Sequence, residues 1–182
     1  MVANKFTEPG GLNKPRAVLQ VFCKAPIEGT VKTRLAAAIG NAAATALYET
    51  MLIAVIEAAL KVRDVSVEIW CSPDANHPFF DRYRGRVRFC TQSAGDLGDR
   101  MYFAMTNRLD RGAPVLLMGA DCPLIGVDYI NEAIEALRDA DAVIAPTEDG
   151  GYGLIGFWQV MPEPFTDVDW STDRVFAQTH EC

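Results

Sequence analysis

The chain is short of the residues that most enzyme classes recruit first. It has two histidines, His77 and His180, one in a Pro-rich stretch and one near the chain end, and neither is placed as a catalytic base. Its five cysteines (Cys23, Cys71, Cys90, Cys122, Cys182) are scattered, odd in number and never spaced as CxxC. That excludes a zinc knuckle and a disulfide framework, and it suits reduced thiols in a cytoplasmic protein. Excess positive charge is absent as well: 17 Lys and Arg against 24 Asp and Glu give a net charge of −7. Nucleic acid and anionic membrane surfaces would repel such a chain, so neither is an expected partner. The first residues, MVANKFTEPGGLNKPR, contain no apolar signal core, and the longest apolar run, MLIAVIEAAL, is interrupted by Glu57. No membrane span is expected, since one requires roughly 20 apolar residues. No Ser nucleophile elbow, repeat or low-complexity tract occurs.

What remains is 182 residues, 49% hydrophobic, enough for one sizeable core and too few for two. Residues 1–16 read as a loosely held tail and 17–182 as one domain. Ala17–Phe22 reads as a strand, and Pro114–Met118, apolar throughout, as a strand covered on both faces. Leu47, Tyr48, Met51, Leu52, Val55, Ile56, Ala59 and Leu60 recur in pairs every four residues, which predicts a long helix with Asn41 as its cap. Strands are expected at Val65–Trp70, Arg86–Cys90, Ala142–Ala145 and Leu154–Trp158, and helices at Leu97–Leu109 and Val127–Leu137. This alternation predicts a three-layer α/β/α domain around a mostly parallel mixed sheet. In such sheets ligands bind beyond the carboxyl ends of the strands.

Four clusters lie where those ends should be. The loop FCKAPIEGTVKTRL follows the first strand and gathers Lys24, Lys32 and Arg34 around Pro26 and Gly29. Pro fixes φ and Gly permits positive φ, so a turn can converge the cations on a diphosphate. Lys32-Thr33 resembles the end of a P-loop, but Val31 stands where that motif requires Gly. In MGADCPL, Asp121 ends a strand, where it could hold a divalent cation against phosphates or cap a following helix or turn. In QSAGDLGDR, Gln92 offers a donor and an acceptor and the glycines admit a flat base; Asp96 or Asp99 could equally favour a helix dipole. EDGGY suits a polyhydroxylated or phosphorylated substrate, or a plain turn. Trp170-Ser171-Thr172 is a substrate rim or a helix start. The G-x-G-x-x-G of Gly151–Gly156 runs into FWQVMP, which reads as a strand ended by proline, so it is no dinucleotide fingerprint.

Taken in order, KAPIEGTVKTRL, QSAGDLGDRM, MGADCPLI, EDGGYGLIG and WST resemble a bacterial glycosyltransferase-A-like family within the nucleotide-diphospho-sugar transferase superfamily. Molybdenum-cofactor and phospholactate guanylyltransferases are among its relatives. The resemblance implies a single Rossmann-like GT-A domain that uses Mg²⁺ or Mn²⁺, a nucleotide or nucleotide-sugar and a small acceptor. It implies that Lys24, Pro26, Gly29, Lys32, Thr33 and Arg34 surround the phosphates, and that Gln92, Gly95, Leu97 and Gly98 lie toward the base. Asp121 would be the metal ligand, although GADC carries one Asp where many glycosyltransferases have Asp-x-Asp. Asp149, Gly150, Gly151 and Tyr152, with Trp170, Ser171 and Thr172, would face the substrate. Lys32, Arg34 and Asp149 are the candidate catalytic residues. Sugar transfer is the leading reaction, nucleotidyl transfer with release of pyrophosphate the alternative, and nucleotide binding without turnover a third. Oligomeric state is left open.

Overall fold

The structure is a computed structural model that describes residues 16–108 and 110–181. The expected tail lies outside the described residues except for Arg16, which is tied down: its amide donates to Asp64 O at 2.6 Å and its guanidinium to Asn131 Oδ1 at 2.6 Å. Leu109 and Cys182 also lie outside.

Six strands form one sheet in the order β3-β2-β1-β4-β6-β5. They are β1 (Ala17–Lys24), β2 (Val65–Ser72), β3 (Arg88–Thr91), β4 (Val115–Gly119), β5 (Ala142–Pro146) and β6 (Tyr152–Phe157). β1 to β4 are mutually parallel, and β6 runs antiparallel to both β4 and β5. Helices α1 (Thr33–Ile39), α2 (Asn41–Lys61), α3 (Leu97–Thr106), α4 (Val127–Ala136) and α5 (Val175–His180) occupy the connections, with short 3₁₀ turns at Pro78–Tyr83 and Glu163–Phe165. After β1 the chain winds outward through β2 and β3, then returns to place β4 on the other side of β1. The junction of β1 and β4 is therefore the topological switch point, the place where ligands generally bind in open α/β sheets. The reversal of β6 matters too, because it brings the β5–β6 connection to the same edge as the carboxyl ends of the parallel strands.

β1 is buried on both faces, which is why its sequence is apolar without alternation. Leu19, Val21 and Cys23 join Leu52, Val55, Ile56, Ile130 and Ile134 in the core under α2 and α4. Val18 and Phe22 join Trp70, Met101, Met105 and Phe165 under α3. Gln20 breaks the apolar run at no exposure, and its amide donates to Glu68 Oε2 at 2.9 Å and to Ala104 O at 2.8 Å. Glu68, also fully buried, accepts from Trp70 Nε1 at 3.0 Å and Arg88 Nη1 at 3.1 Å, so the buried carboxylate is compensated.

Helix α2 is long and apolar enough to cross a membrane by length and composition only, a condition that the core helix of a globular domain also satisfies, and it does not indicate a span. Its stripe of Tyr48, Leu52, Val55, Ile56 and Ala59 is buried in the α2–α4 core. Leu47, expected in that stripe, is 43% exposed, and Asn41 is the first residue of the helix rather than its cap, which is Gly40. The periodicity did not separate α1, because no residue of that Ala-rich turn is buried. The G-x-G-x-x-G glycines belong to β6 and its approach. A Cβ on Gly156 would meet Leu116 Cγ at 2.9 Å and Val143 Cγ1 at 3.0 Å, so this glycine serves strand packing.

Candidate active site

The end of β1 is fixed from three directions. The Ala25 amide donates to Ser72 O at 2.8 Å, on β2. Gln92 Nε2 donates to Cys23 O at 3.1 Å and to Trp70 O at 2.9 Å. From α2, the Tyr48 hydroxyl accepts from the Lys24 amide and donates to the Lys24 carbonyl. Beyond this anchor, Pro26 is buried, and both the amide and the hydroxyl of Thr30 donate to Ile27 O, closing a turn that carries Gly29 at φ +79°. Val31 is buried in the core, which ends the loop and sets the direction of the next residue.

That residue is Lys32. Its backbone is left-handed, φ 47° and ψ 40°, and it opens α1 by accepting from the Ala36 amide at 2.9 Å. Its Nζ stands 3.0 Å from Asp121 Oδ1. The aspartate lies just past β4, whose end is held to β1 by the Ala120 amide donating to Phe22 O at 3.0 Å. Of the sequence readings of Asp121, helix capping fails, because the cap of α4 is Gly126 and no side chain fills that role. The turn reading holds: Asp121 sits in a turn in which the Cys122 amide donates to Gly119 O at 3.4 Å. Lys24, Thr33 and Arg34 are exposed or partly exposed around the same loop.

The Gln92 cluster serves structure more than the sequence suggested. Both donated hydrogen bonds of Gln92 tie β1 to β2, which leaves its carbonyl oxygen for a ligand. Asp96 caps α3, accepting from the Asp99 amide at 2.9 Å while Asp99 Oδ2 accepts from the Asp96 amide at 3.2 Å. This reciprocal box is the helix-start reading realised. Gly95 has φ +105° and accepts at its carbonyl from Arg100 Nε. Leu97 is 40% exposed at the helix start. Gly98 is buried under the Trp170 indole, and a Cβ there would lie 2.8 Å from Trp170 Nε1 and closer still to the Phe165 carbonyl.

The β5–β6 turn meets the residues that follow the second substrate segment. Gly150, at φ +81°, packs on Asp173, and its carbonyl accepts from the Phe176 amide at 2.8 Å, joining the β5–β6 turn to the segment after Trp170. Asp149 Oδ1 accepts from Thr147 Oγ1 at 2.6 Å and from the Gly151 amide at 3.3 Å. These bonds, the Thr147 hydroxyl foremost, hold the Asp149 carboxyl below the usual carboxylate range. Thr172 Oγ1 donates to Asp169 O and accepts from the Arg174 amide, and Ser171 sits at φ +69°, so this stretch prepares α5, which begins at Val175. Tyr152 is only partly exposed, and burial pushes its hydroxyl pKa up.

Two residues passed over in the sequence belong here. Tyr48 anchors the basic loop, yet within α2 it reads as one more stripe residue. Cys122 packs against Gly153, whose absent side chain makes room for the sulfur. Burial, then the Asp121 and Asp149 carboxylates, push its thiol pKa up. A concavity of about 620 Å³ lies elsewhere, against Ile144, Ile155, Phe157 and Thr179 toward the opposite edge of the sheet, and includes none of the basic loop.

Among the described residues no group of three His, Cys, Asp or Glu side chains could hold a metal. Asp121 alone, its side chain 67% exposed, fits a hard cation shared with phosphate oxygens, since Mg²⁺ commonly takes one or two carboxylates and completes its shell with phosphate and water.

The sequence matches the profile of a bacterial family described as an uncharacterized protein conserved in bacteria (DUF2064) over residues 55–172. The chain belongs to this family. The matched span includes the Gln92, Asp121 and Asp149 clusters and begins after the basic loop. No curated protein matches. Among solved structures, a candidate nucleotide-diphospho-sugar transferase from Desulfovibrio desulfuricans G20 is 33% identical, with a TM-score of 0.84 over 92% of this chain and 74% of that one. The 4-diphosphocytidyl-2C-methyl-D-erythritol synthase of Anaerococcus prevotii shares 13% identity and a TM-score of 0.57 over 91% of this chain and 82% of its own, a likeness of fold. A further synthase of the same name shares 11% identity and a TM-score of 0.54 over 92% and 84% of the two chains. The DUF2064 member thus has the nucleotide-diphospho-sugar transferase fold expected from its motifs.

Proposed function

We propose that this protein is a metal-dependent transferase that uses a nucleotide-activated donor, with a nucleotide-sugar as the donor and a small molecule as the acceptor. One observation carries the reading: Lys32 on the β1 loop meets Asp121 past β4 at 3.0 Å, at the switch point of the sheet. A cation and an anion held together at this switch point are the equipment needed for a metal-bound diphosphate. The 33% identical Desulfovibrio protein, described as a candidate nucleotide-diphospho-sugar transferase, supports the donor class.

In this reading Lys32, Lys24 and Arg34 receive the diphosphate, each charge-assisted hydrogen bond contributing about 1.5–3 kcal/mol. Lys24 and Lys32 act as point charges, and Arg34 can grip two oxygens. Mg²⁺ or Mn²⁺, held by Asp121 and the phosphates, would neutralise charge on the leaving group. Donors fixed before reaction, by the Tyr48 and Gln92 anchors, stabilise developing charge without the cost of reorganising. The β5–β6 turn and the Trp170–Thr172 segment form the acceptor side.

Nucleotidyl transfer, with pyrophosphate leaving, is the second reading, and the state of Asp149 favours it. A carboxyl held below its usual range is a poor base for an acceptor hydroxyl, whereas an acceptor phosphate needs none. A thermal-shift screen of nucleotides and nucleotide-sugars, with and without Mg²⁺ or Mn²⁺, tests the donor class. A true donor at 100 times its dissociation constant adds about 2.7 kcal/mol of stability. Release of nucleoside diphosphate then marks sugar transfer, and release of pyrophosphate marks nucleotidyl transfer. No stabilisation by any nucleotide in any cation condition would refute both.

A further inference from the structure

We propose that Lys32 is a tethered stand-in for the divalent cation. Its ammonium occupies Asp121 while the site is empty and passes to the diphosphate when cation and nucleotide arrive together. This rests on the nucleotide-transferase reading and adds a regulation to it: cation and phosphate must bind cooperatively.

The pairing itself is the first reason. Among the described residues the Lys32 ammonium has one ion pair, with Asp121 at 3.0 Å, and the same carboxylate is the one placed to take the cation. One carboxylate bearing an ammonium cannot give its full charge to Mg²⁺. Anatomy is the second. The Lys32 side chain is 26% exposed and the Asp121 side chain 67%, so the lysine reaches over from the protein while the aspartate remains open to an incoming ion. The third reason is the backbone. Lys32 holds a left-handed conformation that L-residues adopt at a cost, between the Gly29 turn and α1. Such conformations persist at ligand clamps where the surroundings dictate them. Here the buried Val31 and the start of α1 dictate it, and they fix the stem while the four-carbon chain swings its charge between two anions.

Each ligand alone therefore pays to break the pair. A cation must displace the ammonium and gains one protein ligand. A diphosphate must draw the ammonium away and leaves Asp121 exposed beside it. Bound together, they exchange partners and leave no charge unmatched, which is positive coupling between two sites.

The test is a double-mutant cycle read by calorimetry with inorganic pyrophosphate as probe, alongside Mn²⁺ binding read by electron paramagnetic resonance. In wild type, Mg²⁺ should tighten pyrophosphate at least tenfold. Without metal, Asp121→Asn should tighten pyrophosphate at least threefold, because Lys32 is released and the bare carboxylate is removed. That gain should be at least halved in a Lys32→Gln background, where only the repulsion remains to be relieved. Lys32→Gln should tighten Mn²⁺ alone at least threefold, and Lys32→Arg should retain the cooperativity. A gain from Asp121→Asn that is undiminished or larger in the Lys32→Gln background would show simple relief of repulsion and overturn the exchange. Unchanged Mn²⁺ affinity in Lys32→Gln would overturn it too. Wild-type protein that binds no pyrophosphate in any cation condition would instead overturn the nucleotide reading beneath it.

Discussion

The Tyr48 hydroxyl accepts a hydrogen bond from the Lys24 amide at 2.9 Å and donates one to the Lys24 carbonyl at 3.1 Å. One side chain of α2 thus satisfies both backbone groups where β1 leaves the sheet and the basic loop begins. Tyr48→Phe keeps the ring in the core and strips both bonds. Leaving buried backbone groups without partners costs about 1–3 kcal/mol, and because these two are only partly buried we expect a loss of about 1 kcal/mol on urea unfolding. Pyrophosphate affinity should fall several-fold in the folded variant, because the loop loses its anchor. Equal affinity in the two proteins would show that the anchor serves stability alone.

Gly98 reports on the joint between α3 and the Trp170 segment. A methyl group there meets the Phe165 carbonyl and the Trp170 indole, so Gly98→Ala should destabilise by about 1–3 kcal/mol, as overpacking does. Gly126 has open space around its Cβ position and caps α4 without a side chain. Gly126→Ser should hold stability or raise it by a few tenths of a kcal/mol. Chemical denaturation of both variants checks the contrast, and a neutral Gly98→Ala would contradict this tight packing.

Lys32→Gly separates stability from binding. Glycine adopts the left-handed conformation freely, recovering about 1 kcal/mol, while the partly exposed ion pair it forfeits is worth about 0–1 kcal/mol. The variant should be as stable as wild type or slightly more so, yet bind pyrophosphate at least tenfold more weakly. Arg34→Ala should likewise weaken binding without unfolding. Retained affinity in both would remove the basic loop from the site.

The Thr147 hydroxyl is the leading cause of the depressed Asp149 carboxyl, so Thr147→Val should return that carboxyl toward the ordinary carboxylate range. A folded pKa below the unfolded one stabilises at pH values above the unfolded pKa and ceases to do so as pH falls through the folded pKa. The stability difference between wild type and Thr147→Val should therefore shrink on acidification into that range. Carboxyl carbon NMR of Asp149 in both proteins tracks the shift directly.

Much of the fold was legible because it is local. β1 and β4 announce themselves as apolar runs and α2 as a stripe, whereas FWQVMP, expected as a strand, gives only Phe157 to β6, because Trp158 and Met161 lie exposed beyond the sheet. Where reading failed, the cause was tertiary. Leu47 has the right spacing yet falls outside the buried arc of α2, and α1 has no buried residue to mark it. Gln92 had the chemistry to read a base, but its donors are taken by Cys23 and Trp70 carbonyls that lie 69 and 22 residues away in sequence. Tyr48 carried no signal at all, since its partner is 24 residues distant.

By itself the sequence determined which side chains the strand ends would present: cations after β1, a carboxylate after β4, glycines beside an acid before β6. Those placements follow from hydrophobic pattern and turn chemistry, which act over a few residues. Only the tertiary structure decided that Lys32 and Asp121 meet, because strand order is chosen by how crossovers and helices cover both faces of the sheet. Burial on both faces put β4 beside β1, and the reversal of β6 brought Asp149 to the same edge.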